Sequence, residues 1–152
     1  MATSKKIIKI PTESAVKRMA SKDYMSPEML LFFRDRLETT LKEVKEDITA
    51  NRNEMSALET STELVDMAGR QEILQLGLKR IERQCKHLDK INDALKRIVT
   101  GEYGYCEESG EPIGVPRLLA RPTATLSIVS KEHQEFQERT EGVSRIGSND
   151  SD

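Results

Sequence analysis

Through the middle of the chain, apolar residues return every seven positions. In a first series Leu30, Leu37, Val44 and Leu58 form one row and Leu41, Ile48 and Met55 the other, with Asn51 interrupting the first. In a second series Met67, Leu74, Ile81, Leu88 and Leu95 form one row and Leu78, Cys85 and Val99 the other, with Asn92 as its polar break. This period belongs to helices packed through a narrow seam. Two such series joined by a short polar stretch predict an antiparallel coiled-coil hairpin over residues 25–100, with its tip near 59–69. Each arm would be roughly 50 Å long. Asn51 and Asn92 are not opposite one another in this pairing, so each is expected to limit register slippage rather than make a specific bond.

Local signals place the ends. Ser26 reads as an N-cap, Pro27 as the first helical residue and Glu28 as a first-turn acid, with Met25 and Leu30 spaced for a hydrophobic staple. Thr60 and Glu63 have the spacing of a capping box that would open the second helix. Gly77, inside that helix, costs about 1 kcal/mol relative to Ala; it marks either close helix contact or nothing. Gly101 suits the left-handed residue that closes the second helix.

Residues 101–140 read as a compact module with turns at Gly104, Ser109–Gly110 and Glu111–Pro112 and a last helix capped by Ser130. Arg121, before Pro122, is pushed toward extended geometry. Residues 1–24 read as a mobile segment, with at most one helical turn at "ESAVKRM", and residues 141–152 as a disordered tail. The fold class is therefore mostly α: a long hairpin, a small module and a C-terminal helix.

Composition narrows this further. Aromatics are 4% and charged residues 33% of the 152-residue chain, which suits long helices with wet outer faces rather than a large core. A net charge of −2 gives no electrostatic basis for general DNA binding. Two well-separated cysteines do not form a disulfide framework and fit a reducing cytoplasm. No apolar run is long enough for a membrane span.

The module raises a chemical question. Cys106, Ser109, Ser127 and Ser130 have the spacing of a four-cysteine zinc site, but only one is a thiol. Serine hydroxyls ionise far less readily than thiols and are hard donors, so zinc is not expected. A rebuilt site recruiting His133, Glu107 or Glu108 beside Cys106 lacks a second close pair of good ligands. Tyr103, Tyr105, Ile113, Val115, Leu118, Leu119, Leu126, Ile128 and Val129 would supply a small core in its place. A redox role for Cys106 is disfavoured by Glu107 and Glu108 beside it. Cys85 reads as a small seam residue. Glu63 and Asp66 share one helical face at the tip, followed by Ala68; acids near a helix N-terminus favour its dipole, and they would also arm the end of a long probe. Lys90, Arg121 and Lys131 would converge on an anion if the module folds back on the hairpin base.

The stretch "GEYGYCEESGEPIGVPRLLARPTATLSIVSK" resembles the zinc-finger signature of the DksA/TraR family of bacterial transcription factors, through "GYC", "IG", "RL", "ARPTA" and the following Lys. The resemblance runs back at constant spacing to "ELVDMA", which is similar to the family's Asp-x-x-Asp-x-Ala tip motif, and covers about residues 25–140. It implies a monomeric, non-enzymatic, cytoplasmic regulator. Such a protein binds bacterial RNA polymerase rather than a DNA sequence or a membrane. Its hairpin would enter the secondary channel, and its tip, carried over as Glu63, Asp66 and Ala68, would act near the active site. It also implies that the alarmone ppGpp acts at the shared interface in the stringent response, with Lys90, Arg121 and Lys131 as its contacts. Three departures stand out: Glu63 lengthens the first tip acid, three zinc-ligand positions are serine, and Val129 replaces an acid between the last two. They fit a cysteine-poor, zinc-independent branch. Two other readings remain: a Gre-type factor whose tip acids stimulate transcript cleavage, and a coiled-coil adaptor unrelated to polymerase.

Overall fold

The computed structural model describes residues 9–60 and 67–146, with side chains up to residue 142. The expected hairpin is its dominant feature. Helix α1 (Glu13–Arg18) and a single 3-10 turn (Ser21–Asp23) precede the two long arms, α2 (Pro27–Thr60) and α3 (Met67–Thr100), which pack along their length. Helix α4 (Val115–Ala120) lies in the module and α5 (Ile128–Ile146) leaves it.

α2 begins as its sequence requires. The Met29 amide donates to Ser26 Oγ at 3.4 Å, and the Leu30 amide to the Ser26 carbonyl at 2.9 Å. Its seam is the predicted one, with Leu37, Val44, Ile48 and Asn51 buried. On α3 the row Leu74, Ile81, Leu88 and Leu95 faces inward, whereas Met67 is exposed. The second row is displaced by one residue from the expected one. Leu78 and Val99 are exposed, while Gly77, Gln84, Ile91 and Ile98 turn inward; Cys85 remains half-buried against the core, as expected.

Partners across the seam explain the displacement. A Cβ on Gly77 would lie 3.0 Å from the Met55 sulfur, so Gly77 makes room for that side chain. Gln84 accepts a 2.8 Å hydrogen bond from the buried Asn51 amide. Asn51 therefore makes a specific bond, contrary to the expectation from spacing alone. Thr60 lies in α2, its hydroxyl bonding back to the Ser56 and Ala57 carbonyls. Its expected capping partner Glu63 lies outside the described residues.

The core is concentrated at the base of the hairpin, where Met29, Phe33, Leu37, Ile91 and Ala94 meet Tyr103, Cys106, Ile113 and Leu118. Part of the supposed mobile segment joins it: α1 packs on α2 and α4 through Val16, which is 1% exposed. Thr12 caps α1, and Glu13 bridges to Lys17 and Arg36. Val16, one apolar residue in a charged stretch, gives this short helix its docking point. Toward the other end, α5 continues to Ile146, past the 141 boundary expected for a disordered tail.

Candidate functional site

The module is shaped by a few backbone constraints. Gly101 has φ +81° and ends α3, and the Arg97 carbonyl accepts from the amides of Glu102 and Tyr103. Tyr105 and Pro112 form an antiparallel bridge around the turn that carries Cys106 to Gly110. Gly114, at φ +101°, opens α4, and Arg121 closes it with its amide on the Arg117 carbonyl. Arg121, at φ −137° and ψ 87°, lies outside the helical region that the following Pro122 disfavours. Ser127 then caps α5, accepting from the Ser130 amide at 3.2 Å. The expected cap was Ser130, but that residue is the third of the helix and points inward. Ile128 and Val129, expected in the core, are 55% and 75% exposed because they occupy the outer face of this first turn.

These turns bring the module over the base of α3 and leave a cleft of about 390 Å³. Lys90 from α3, Arg121 from the end of α4 and Lys131 from the first turn of α5 all line it. Arg117, which sequence reasoning did not single out, lines it too, its Nε held 2.9 Å from the Leu126 carbonyl. Its place inside an apolar "VPRLLA" turn gave no sequence signal of that role. The acid in the lining is Glu107, whose carboxylate sits 3.1 Å from Arg97. Four cations therefore face a single acid that is already paired. Among the described residues, Lys90 and Arg121 have no ion pair of their own. Such a cleft favours a multiply charged anion, since guanidinium and ammonium groups together match phosphate oxygens.

The four zinc-type positions also converge, at the floor of the module. Cys106 is buried, with its sulfur 3.3 Å from Ser130 Oγ, and Ser127 donates to Ser130 Oγ at 3.2 Å. Burial pushes the Cys106 thiol up. Hydrogen bonds from the Ser109 and Ser130 hydroxyls and from the Ser109 and Ser127 amides outweigh it and bring the pKa down from 9.0 to about 6. The expectation that the neighbouring acids disfavour the thiolate is thus reversed by groups nearer the sulfur. This donor set does not fit zinc, which takes thiolate, imidazole or carboxylate in structural sites: one sulfur is offered, beside three hydroxyls that are hard, weakly acidic donors.

Ala68 is the second residue of α3 and is exposed; Glu63 and Asp66 lie outside the described residues. A contact absent from the sequence expectations joins the N-terminal segment to the module: the Tyr24 hydroxyl donates to the Gly104 carbonyl and accepts from the Gly114 amide.

Comparison with known proteins agrees with this architecture. Residues 29–98 match the family described as DnaK suppressor protein DksA, N-terminal domain, and residues 101–129 match the prokaryotic dksA/traR C4-type zinc finger. The chain is 40% identical over 120 residues to the RNA polymerase-binding transcription factor DksA of Caulobacter vibrioides, covering 76% of this chain and 82% of that protein. It is 33% identical over 118 residues to the protein of the same name from Escherichia coli K12, covering 77% and 78%. Among solved structures, transcription factor DksA2 from Pseudomonas aeruginosa superposes with a TM-score of 0.79 at 42% identity, covering 84% of this chain and 98% of that one.

Proposed function

Because the chain belongs to the DksA/TraR family, we propose that it binds RNA polymerase and regulates transcription without acting as an enzyme. In this reading the hairpin enters the secondary channel. Glu63, Asp66 and Ala68 come near the active site, and ppGpp is gripped between the polymerase and the cleft of Lys90, Arg121 and Lys131. Zinc is not needed. The observation that supports the reading best is the basic cleft itself, four cations against one paired acid at the base of a hairpin of this family.

The reading is tested by in vitro transcription from a ribosomal promoter, with and without ppGpp and a chelator. Regulation should deepen with ppGpp and be indifferent to the chelator. Reversing charge at Asp66 should abolish regulation while leaving polymerase binding largely intact. Arg121→Ala or Lys131→Ala should weaken the ppGpp response more than the basal effect. Failure to bind core polymerase would sink the proposal, and shortening of transcripts in backtracked complexes would replace it with cleavage stimulation.

A further inference from the structure

The outer surface of the hairpin is not uniform. α2 carries eight acids against five bases, whereas α3 carries eight bases against four acids. Several α2 charges are internally matched, as in Arg34–Glu38 and Lys42–Glu46. α3 has its own pairs in Lys86–Glu82 and Lys96–Asp93, but one row beside the seam is apolar at its distal end and basic thereafter: Ile73, Leu76, Arg80, Arg83 and His87, spaced alternately by three and four residues. That spacing puts them on one face of the helix. All five are exposed, Ile73 by 53% and Leu76 by 61%, and among the described residues Arg80 and Arg83 have no ion pair. The row is about 20 Å long.

Its distal end is concave. A groove of about 250 Å³ is walled by Met55 and Leu58 of α2 and by Ile73, Leu76 and Gly77 of α3, with Asn51, Glu54 and Arg80 also in its lining. Two exposed aliphatic side chains beside a groove, followed at helical spacing by unpaired cations, form a composite surface with a direction. An isolated surface Leu needs no explanation, but an apolar groove continued along one helix face by two unpaired arginines has the make-up of a docking site.

We infer that this row of α3 is a docking stripe for an acidic segment of RNA polymerase that seats an apolar side chain in the groove between Leu58, Ile73 and Leu76. The choice of an acidic partner follows from charge complementarity, since α3 alone is net basic and its row cations are unmatched. The inference rests on the polymerase-binding reading above and adds which face of the hairpin is engaged and by what chemistry.

Binding of the full-length protein to core polymerase, followed at several salt concentrations, tests it. Arg80→Glu/Arg83→Glu should weaken binding by about tenfold or more at low salt and flatten its salt dependence. Leu76→Asn should weaken binding with the salt dependence unchanged. Glu43→Lys/Asp47→Lys, on exposed positions of α2, should bind as well as the unaltered protein. All these positions are exposed, so an unchanged melting temperature is expected and checks that folding is intact. If the unaltered protein binds and the Arg80/Arg83 variant binds within twofold with the same salt dependence, the stripe is wrong while the polymerase reading stands. If the unaltered protein does not bind, that reading falls and the stripe with it.

Discussion

The Tyr24 hydroxyl donates a 2.6 Å hydrogen bond to the carbonyl of Gly104, 80 residues further along the chain. It also accepts from the Gly114 amide at 3.0 Å, and its ring meets Tyr105 edge-on at 5.7 Å. One phenol therefore pins both sides of the turn that carries Cys106. Tyr24→Phe keeps the ring contact and leaves the Gly114 amide without its partner, while the Gly104 carbonyl retains only the Ile113 amide, so it should cost about 2 kcal/mol. For a chain of this size that is a melting temperature lower by roughly 4–8 °C. Thermal unfolding followed by circular dichroism measures it, and a shift below about 1 °C would remove Tyr24 from the account of the module.

Asn51 and Gln84 form the polar layer of the seam. A double-mutant cycle with Ala at each position should give a coupling of about 1 kcal/mol. Replacing both by Leu should raise stability above that of the unaltered protein, because no amide is then left without its partner. Either Leu alone should lower it. Urea midpoints of the four proteins decide the matter; equal midpoints for the single Leu variants and the unaltered chain would contradict a specific bond.

Cys106 makes the module sensitive to pH in a defined direction. Its folded pKa of about 6 lies below the ordinary 9.0, so in the range between them the unfolded chain holds the proton and the folded chain does not. Its contribution is complete above pH 9, shrinks as the pH falls, and is gone below about 6. Urea unfolding from pH 9 to pH 5.5 should show a midpoint falling over this window, and the fall should be smaller in Cys106→Ala. A parallel fall in both proteins would assign the dependence to other groups.

The three serines around Cys106 predict their own converse. Ser109→Cys/Ser127→Cys/Ser130→Cys places four thiols where four side chains already converge, so it should bind one zinc per chain and melt lower after chelation. The unaltered protein should show neither behaviour. Metal analysis with thermal unfolding reads both, and a chelator-sensitive unaltered protein would refute metal independence.

How far the sequence revealed this architecture depends on whether a residue's role was set within its own helix or across the seam. The α2 rows, the Ser26 cap and the Gly101 terminus follow from local spacing, and each is found where spacing puts it. The second α3 row does not. Of Leu78, Cys85 and Val99 only Cys85 packs against the core; Gly77 and Gln84 face inward because Met55 needs the space and Asn51 needs an amide partner. Both reasons lie on the opposite helix. The cap was expected at Ser130, but that hydroxyl is drawn inward to the Cys106 sulfur and the cap falls to Ser127. The basic cleft is partly legible in the sequence, through Lys90, Arg121 and Lys131; Arg117 needs the fold, because its neighbours in sequence are apolar.

The Tyr24 pin has a consequence for how the chain is made. Gly104 and Gly114 are synthesised 80 and 90 residues after Tyr24. At translation rates that is a wait on the order of ten seconds. The Tyr24 segment therefore finds its seat only after both arms of the hairpin have been built, and completes the base of the hairpin as a closing step.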